Sequence, residues 1–199
     1  MSEEQEKSEE KLVDYSSDET YDRKHAMLLA LLKWLECDFF GAFIFLSLLA
    51  MTLMLGNAGN FIFGTIGLLL YICVLADFGL KEGAKAHTKK IIRGDDTGSN
   101  FGLKLGLVAM LPALFSYILL LLSYFDVVGS TVLIFKILNS GLWGYINIFA
   151  PSMQIEDVSS TLLIIYPLTM LIYPLTVFFT FKMAYNNVDI KTKIMYKNQ

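Results

Sequence analysis

Leu105 to Phe125 reads LGLVAMLPALFSYILLLLSYF, twenty-one residues without one charged side chain. A helix rises about 1.5 Å per residue, so a run of this length matches a bilayer hydrocarbon core of about 30 Å. Three further charge-free stretches have the same character: Phe39 to Leu55, Phe61 to Ala76 and Val158 to Phe181. With 55% hydrophobic residues and a mean hydropathy of +0.53, the chain holds more apolar surface than a soluble domain can hide in one core. The excess has to face lipid. The expected fold is all-α: a polytopic membrane helical bundle of four transmembrane helices plus an interfacial or re-entrant outer helix.

Charge sets the expected sidedness, because cytoplasmic loops of membrane proteins carry an excess of Lys and Arg. Lys81, Lys85, Lys89, Lys90, Arg93 and Lys104 separate the second and third apolar runs, and Lys182, Lys191, Lys193 and Lys197 follow the fourth. Arg23, Lys24 and Lys33 precede the first. The other two connections, Gly56 to Asn60 and Asp126 to Asp157, hold only Lys136. Four crossings with both termini in the cytoplasm of a plasma (inner) membrane put every basic cluster on one side. The expected spans are about 39–55, 61–80, 103–125 and 158–182, inside a domain covering 23–185.

Residues 127–150 are apolar enough to suggest a fifth span, yet they contain Lys136, Asn139 and Asn147 and are punctuated by Gly129, Gly141 and Gly144. A fifth crossing would also carry the lysine-rich end outward. The segment is expected to be an interfacial or re-entrant outer helix, with Trp143 and Tyr145 at headgroup level.

The first 25 residues hold nine acidic and four basic side chains and almost nothing apolar, so 1–22 is expected to be a disordered cytoplasmic tail. Met1-Ser2-Glu3-Glu4 lacks the positive start of a secretory signal, and no cleavage is expected. Residues 186–199 read as a basic cytoplasmic tail. Met27, Leu28, Leu31, Leu32 and Leu35 recur at helical spacing and form an amphipathic lead-in to the first span. Gly56 to Asn60 reads as a short outer turn, and Lys81 to Arg93 as a helical continuation ending at Gly94. Asp95 to Asn100 then forms a turn, with Ser99 or Asn100 capping the third span.

In that third span Gly102, Gly106, Ala109, Ala113 and Ser116 recur every three or four residues, with Ser123 a heptad further on. Small side chains let helix backbones approach, and such packing holds helices together in lipid. The stripe is a packing face, toward another span of the same chain or toward a partner. The fourth span repeats itself: Ile165-Tyr166-Pro167-Leu168-Thr169, then Ile172-Tyr173-Pro174-Leu175-Thr176. Each proline removes a backbone donor and frees a carbonyl four residues earlier, Leu163 and Met170, for which hydroxyls can substitute. A bent helix follows, and Tyr166, Pro167, Thr169, Tyr173, Pro174 and Thr176 are its kink or cavity candidates. Pro112 adds a bend to the third span.

Among charged groups, Asp77 and Lys104 fall at the same inner boundary and are a candidate ion pair, while no carboxylate or histidine is expected at mid-depth. Lys85, Lys89, Lys90 and Arg93 are expected to lie against anionic headgroups. Asp96-Thr97-Gly98-Ser99 spells an aspartic-protease signature, but that chemistry needs two carboxylates sharing a proton, and one copy in a turn does not supply it. His25 and His87 lack ligand partners at metal spacing, and Asp126, Glu156 and Asp157 read as solvated loop carboxylates. Cys37 and Cys73 belong to no CxxC pattern and are expected as free thiols. Neither a cofactor, a metal nor nucleic acid is expected; membrane lipids, a second copy or another membrane protein are.

Lys182-Met183-Ala184-Tyr185 and Asp189 to Lys197 resemble the C-terminus of small multi-span membrane proteins of unknown function from Gram-positive bacteria. Gly79-Leu80-Lys81-Glu82-Gly83, then a basic loop and Gly102-Leu103-Lys104-Leu105-Gly106-Leu107, are similar to theirs as well. The resemblance implies a bacterial plasma membrane and transfers no catalytic or binding residue. Packing faces and charged cytoplasmic segments favour a non-enzymatic subunit or accessory, regulatory protein of a membrane complex. A small transporter or channel built on the kinked fourth span is the alternative, and a membrane enzyme is third.

Overall fold

The computed structural model describes residues 21–187. The expected acidic tail up to residue 20, and Lys191, Lys193 and Lys197, lie outside the described residues. Within them the chain is helical, with no strand. Helix α1 spans Arg23–Leu55, α2 Asn57–Arg93 and α3 Phe101–Tyr124. Short helices α4 (Val132–Ile137) and α5 (Trp143–Phe149) flank a 3₁₀ turn at Ser140–Leu142. Helices α6 (Ser160–Met170) and α7 (Ile172–Tyr185) complete the order. Three helices are long and apolar enough to cross a membrane: α2, α3 and the α6–α7 run of 26 residues.

Asp22 starts α1, its carboxylate accepting from the backbone N–H of Lys24 at 2.9 Å and of His25 at 3.1 Å. That bond satisfies donors that a helix leaves open at its first turn. The amphipathic lead-in and the apolar run then form one unbroken helix, whose Ala26, Ala30 and Cys37 are buried. The expected five-residue outer turn shrinks to Gly56. Its φ of 55° lies in the left-handed region, where glycine carries no Cβ penalty, so one residue reverses the chain and Asn57 already begins α2. At its other end α2 continues through Lys81 to Arg93 as expected and stops at Gly94, whose N–H reaches the Lys90 carbonyl at 3.0 Å. Asn100 is the N-cap of α3 by position, without a side-chain bond.

The small-residue stripe of α3 is consumed inside the chain. Gly102, Gly106, Ala109, Ala113 and Ser116 are all buried, and α7 lies on the stripe with Phe181 over Gly102 and Pro174 over Gly106. A second seam escaped the sequence reading: on α2, Gly79 and Gly83 receive Thr180 and Phe181 of α7, while Gly64 and Gly67 receive Tyr145 and Gly141. Helix α3 continues through Pro112.

The fourth apolar run is divided at Leu171, between α6 and α7. Pro174 has no N–H for the Met170 carbonyl, and the Leu171 N–H turns to Leu168 at 3.3 Å, a tightened last turn. Pro167 sits within α6, and the Leu163 carbonyl it frees accepts a 2.7 Å bond from the Tyr117 hydroxyl of α3. A tyrosine from the neighbouring helix thus replaces the missing donor.

Residues 132–149 fold back against α1, α2 and α3, with Leu133, Ile134 and Ile137 left exposed. Val132, Phe135, Lys136, Asn139, Ser140, Leu142 and Ile146 are buried. Trp143 and Tyr145, expected as headgroup anchors, are engaged by protein: Trp143 stacks on Phe45 with ring centroids 4.4 Å apart, and Tyr145 covers Gly64 and shares a 2.7 Å bond with the Thr65 hydroxyl.

Candidate functional site

Two polar constellations form where helices converge. The first surrounds the turn at Asn139 and Ser140. Asp38, near the middle of α1, accepts from the Ser140 N–H at 2.7 Å and from the Ser140 hydroxyl at 2.8 Å. The Tyr71 hydroxyl of α2 points to the same oxygen at 3.4 Å. Asn139 donates to the Ser116 hydroxyl of α3 at 2.9 Å and accepts from the Tyr166 hydroxyl of α6. One two-residue turn therefore ties α1, α2, α3 and α6 together. Gly141 makes this possible, because its backbone lies directly on Gly41 and Gly67 and its Cα side meets Tyr71, leaving no room for a side chain.

The same device anchors the flanks of the turn. The ammonium of buried Lys136 donates to the Asn147 side chain at 2.8 Å and to the Ser152 carbonyl at 2.9 Å, and the Trp143 indole N–H shares the Asn147 oxygen at 3.0 Å. Burying an ammonium is costly unless its donors are taken, and these carbonyls take two of the three. The buried Tyr173 hydroxyl, whose ring lies 5.9 Å from Tyr71, has no partner. Beside α6 is an apolar hollow of about 80 Å³ with Tyr166 and Thr169 in its wall.

The second constellation is a cup of about 580 Å³ at one end of the bundle, where α1 and α3 begin and α2 and α7 finish. Arg23 of α1, Lys90 of α2 and Lys104 of α3 line it, with the turn Asp96 to Asn100 and Tyr185. Asp96 organises the turn: it accepts from the Gly98 N–H at 2.9 Å, pairs with Lys90 at 3.2 Å and receives the Tyr185 hydroxyl. The Tyr185 hydrogen bond, then those of Gly98 and Lys90, hold its carboxyl below the usual carboxylate range. Nearby, the Tyr21 hydroxyl donates to Glu82 at 3.1 Å; burial first, and then the carboxylate, push this phenol upward. The Asp-Thr-Gly-Ser sequence is a turn-builder here.

Several expected roles move to other partners. Asp77 pairs with Lys81, one turn along its own helix, at 2.8 Å, because a helix brings residues four apart together; Lys104 instead lines the cup. Lys85 is bound by Glu82 at 2.7 Å, Lys90 by Asp96 and the Tyr185 ring, and Lys89 and Arg93 are engaged within the chain too. This helix face is partnered by protein and does not present four free cations to headgroups. Tyr166 and Tyr173 are buried in the interior, while Pro167, Thr169 and Thr176 are half-buried. His87 bonds the Tyr185 carbonyl at 2.7 Å, and His25, Asp126, Glu156 and Asp157 are exposed. Among the described residues no cluster of His, Cys, Asp or Glu is arranged to hold a metal. Cys37 and Cys73 are free thiols, the first buried and the second exposed.

The sequence reading missed Asp38, Tyr71 and Ser140. It began the first span at the first uncharged residue, Phe39, which left a carboxylate one position outside and out of view. The available signal was helical register: Asp38 is flanked by Cys37 and Gly41, both on the buried face of α1. In comparisons with known proteins, no family model, no curated protein and no solved structure matches the chain.

Proposed function

We propose that the protein is a four-span integral membrane protein of a bacterial plasma membrane, both termini cytoplasmic, and that it serves as a non-enzymatic subunit or accessory protein of a membrane complex. In this reading α1 joins α2, α3 and the α6–α7 run as the fourth crossing, since its 33 residues extend about 50 Å. Residues 132–149 are a re-entrant wedge, polar backbone at depth covered by protein as a lipid environment demands.

The supporting observation is the contrast between the middle of the bundle and one of its ends. Its interior is plugged by the Asp38–Ser140 turn, with Gly141 in backbone contact with Gly67, whereas a wide charged cup opens where α1, α2, α3 and α7 meet. A plugged interior with a recessed charged face suits a platform for cytoplasmic partners better than a conduit. The first experiment is purification from mild detergent at native expression, with cross-linking. Stoichiometric recovery with another membrane protein or with itself is expected; recovery as an isolated monomer overturns the reading. Reporter fusions at the two ends test the topology, and opposite sidedness would remove the four-span count.

A small transporter is the second reading, favoured by the break at Leu171 beside the unpartnered Tyr173 hydroxyl, since broken helices and re-entrant turns line solute paths elsewhere. Reconstituted vesicles that pass neither ions nor common metabolites, with or without a potential, would exclude it.

A further inference from the structure

We propose that the cytoplasmic cup binds a phosphate group, held by Arg23, Lys90 and Lys104 beside the first turn of α3. The inference rests on the reading above only in placing the cup at the cytoplasmic surface; its chemistry stands on the cup itself.

Three cations from three different helices face one cavity, against the single carboxylate of Asp96 in its wall. Such convergence concentrates positive potential where low-dielectric walls surround it. Asp96 offsets Lys90 and Asp95 forms a long ion pair with Arg23 at 3.8 Å, past hydrogen-bond distance, so the unbalanced charge in the cup is that of Lys104. Lys104 makes no ion pair among the described residues.

The position of Lys104 is the second argument. It sits in the first turn of α3, a 24-residue helix whose partial positive end disfavours a cation there. No acidic residue in that turn compensates, and Asn100 makes no side-chain cap bond. The Phe101 and Leu103 N–H groups are already taken by the Gly98 and Asn100 carbonyls at 3.1 Å each, so an anion at this end meets the Lys104 ammonium and offsets its unfavourable place at the positive end of the helix. The Thr97 hydroxyl in the wall is shielded from solvent and has no partner. A phosphate fits these groups better than a carboxylate, because its three terminal oxygens can meet the Arg23 guanidinium and the Lys90 and Lys104 ammonium groups together. A cavity of about 580 Å³ also exceeds a bare ion and leaves space for the organic part that carries it.

Two sources supply this chemistry, a phospholipid headgroup from the inner leaflet and a soluble phosphomonoester. The test uses the full chain purified in a neutral detergent, with two probes: nanodiscs of phosphatidylcholine with or without phosphatidic acid, and inorganic phosphate in solution. Retention of phosphatidic acid by native mass spectrometry assigns the lipid source; broadening of the inorganic phosphate signal in phosphorus NMR assigns the soluble one. Lys104→Gln and Arg23→Gln are each expected to weaken the positive arm by about tenfold or more, as loss of a charge-assisted contact does. Lys182→Gln, outside the cup and over the Phe178 ring, leaves it unchanged. Both positions are exposed, so folding persists, and thermal melting of each variant checks this. No retention of either probe, or equal binding by Lys104→Gln, overturns the proposal. Neither result alters the co-purification outcome, so the two readings fail separately.

Discussion

The Asp38 carboxylate receives both the backbone N–H and the hydroxyl of Ser140, 102 residues further along the chain, at 2.7 and 2.8 Å. This contact closes the interior: it joins the middle of α1 to the turn that also holds α2, α3 and α6. Hydrogen bonds to a charged group contribute about 1.5–3 kcal/mol, and leaving a partner buried and unpaired costs a similar amount. Asp38→Ala is therefore expected to destabilise the detergent-solubilised protein by about 2–3 kcal/mol. Because the two residues act on each other, Asp38→Ala and Ser140→Ala should not add. A double-mutant cycle read by chemical denaturation gives the coupling, expected at about 1–3 kcal/mol. Strict additivity would show that the turn is held by packing alone.

Packing has its own test at Gly67. A Cβ there would run into the Gly141 carbonyl, backbone against backbone, which no side-chain rotation relieves. Gly67→Ala should cost about 1–3 kcal/mol, the usual range for overpacking. Gly129→Ala meets nothing within 4 Å and should stay within about 0.5 kcal/mol. Thermal unfolding of the two variants side by side decides; equal melting would mean that the wedge yields freely.

How much of this was legible follows from what each signal encodes. Apolar length and spacing report on a helix's own surface, so the helical class, the burial of the Gly102 to Ser116 stripe and the freed Leu163 carbonyl were all readable. So was the end of α2 at Gly94. The partners were not. Which helix would cover Gly106, or that Tyr117 would reach Leu163, depends on how elements far apart in sequence are placed. The 127–150 segment marks the boundary: its three polar residues and its glycines set it apart from the apolar runs, yet the same features suit a surface helix and the inward-packed segment observed. Asp38 was hidden for a different reason. A charge-free window excludes by construction a charged residue at its edge that the fold brings against the Ser140 turn.

At the end of the bundle that holds the cup, Asp96 offers a pH-dependent reporter. Its carboxyl is held below the usual carboxylate range, chiefly by the Tyr185 hydroxyl. A depressed folded value means that the carboxylate's contribution is complete above the ordinary unfolded pKa and is lost as pH falls through the lower folded one. The Gly98 amide, bonded to Asp96 at 2.9 Å, should follow this titration in nitrogen-edited NMR. Its midpoint is expected below the ordinary Asp value, and Tyr185→Phe should move it upward. A midpoint at or above the ordinary value would place the Tyr185 bond elsewhere.

The Tyr117 hydroxyl and Pro167 form a compensating pair that can be taken apart. Proline at 167 removes the N–H that would serve the Leu163 carbonyl, and Tyr117 serves it from α3 at 2.7 Å. Tyr117→Phe alone leaves that carbonyl without a donor and should cost about 1–2 kcal/mol. Pro167→Ala restores a backbone N–H at the right place, so adding Tyr117→Phe to it should cost much less than in the wild-type background. Denaturation of the four proteins in one detergent gives the comparison. If Tyr117→Phe costs the same with alanine at 167 as with proline, the hydroxyl is not substituting for the missing donor. The ring's tilted contact with Tyr166, with centroids 5.5 Å apart, would then be what Tyr117 supplies.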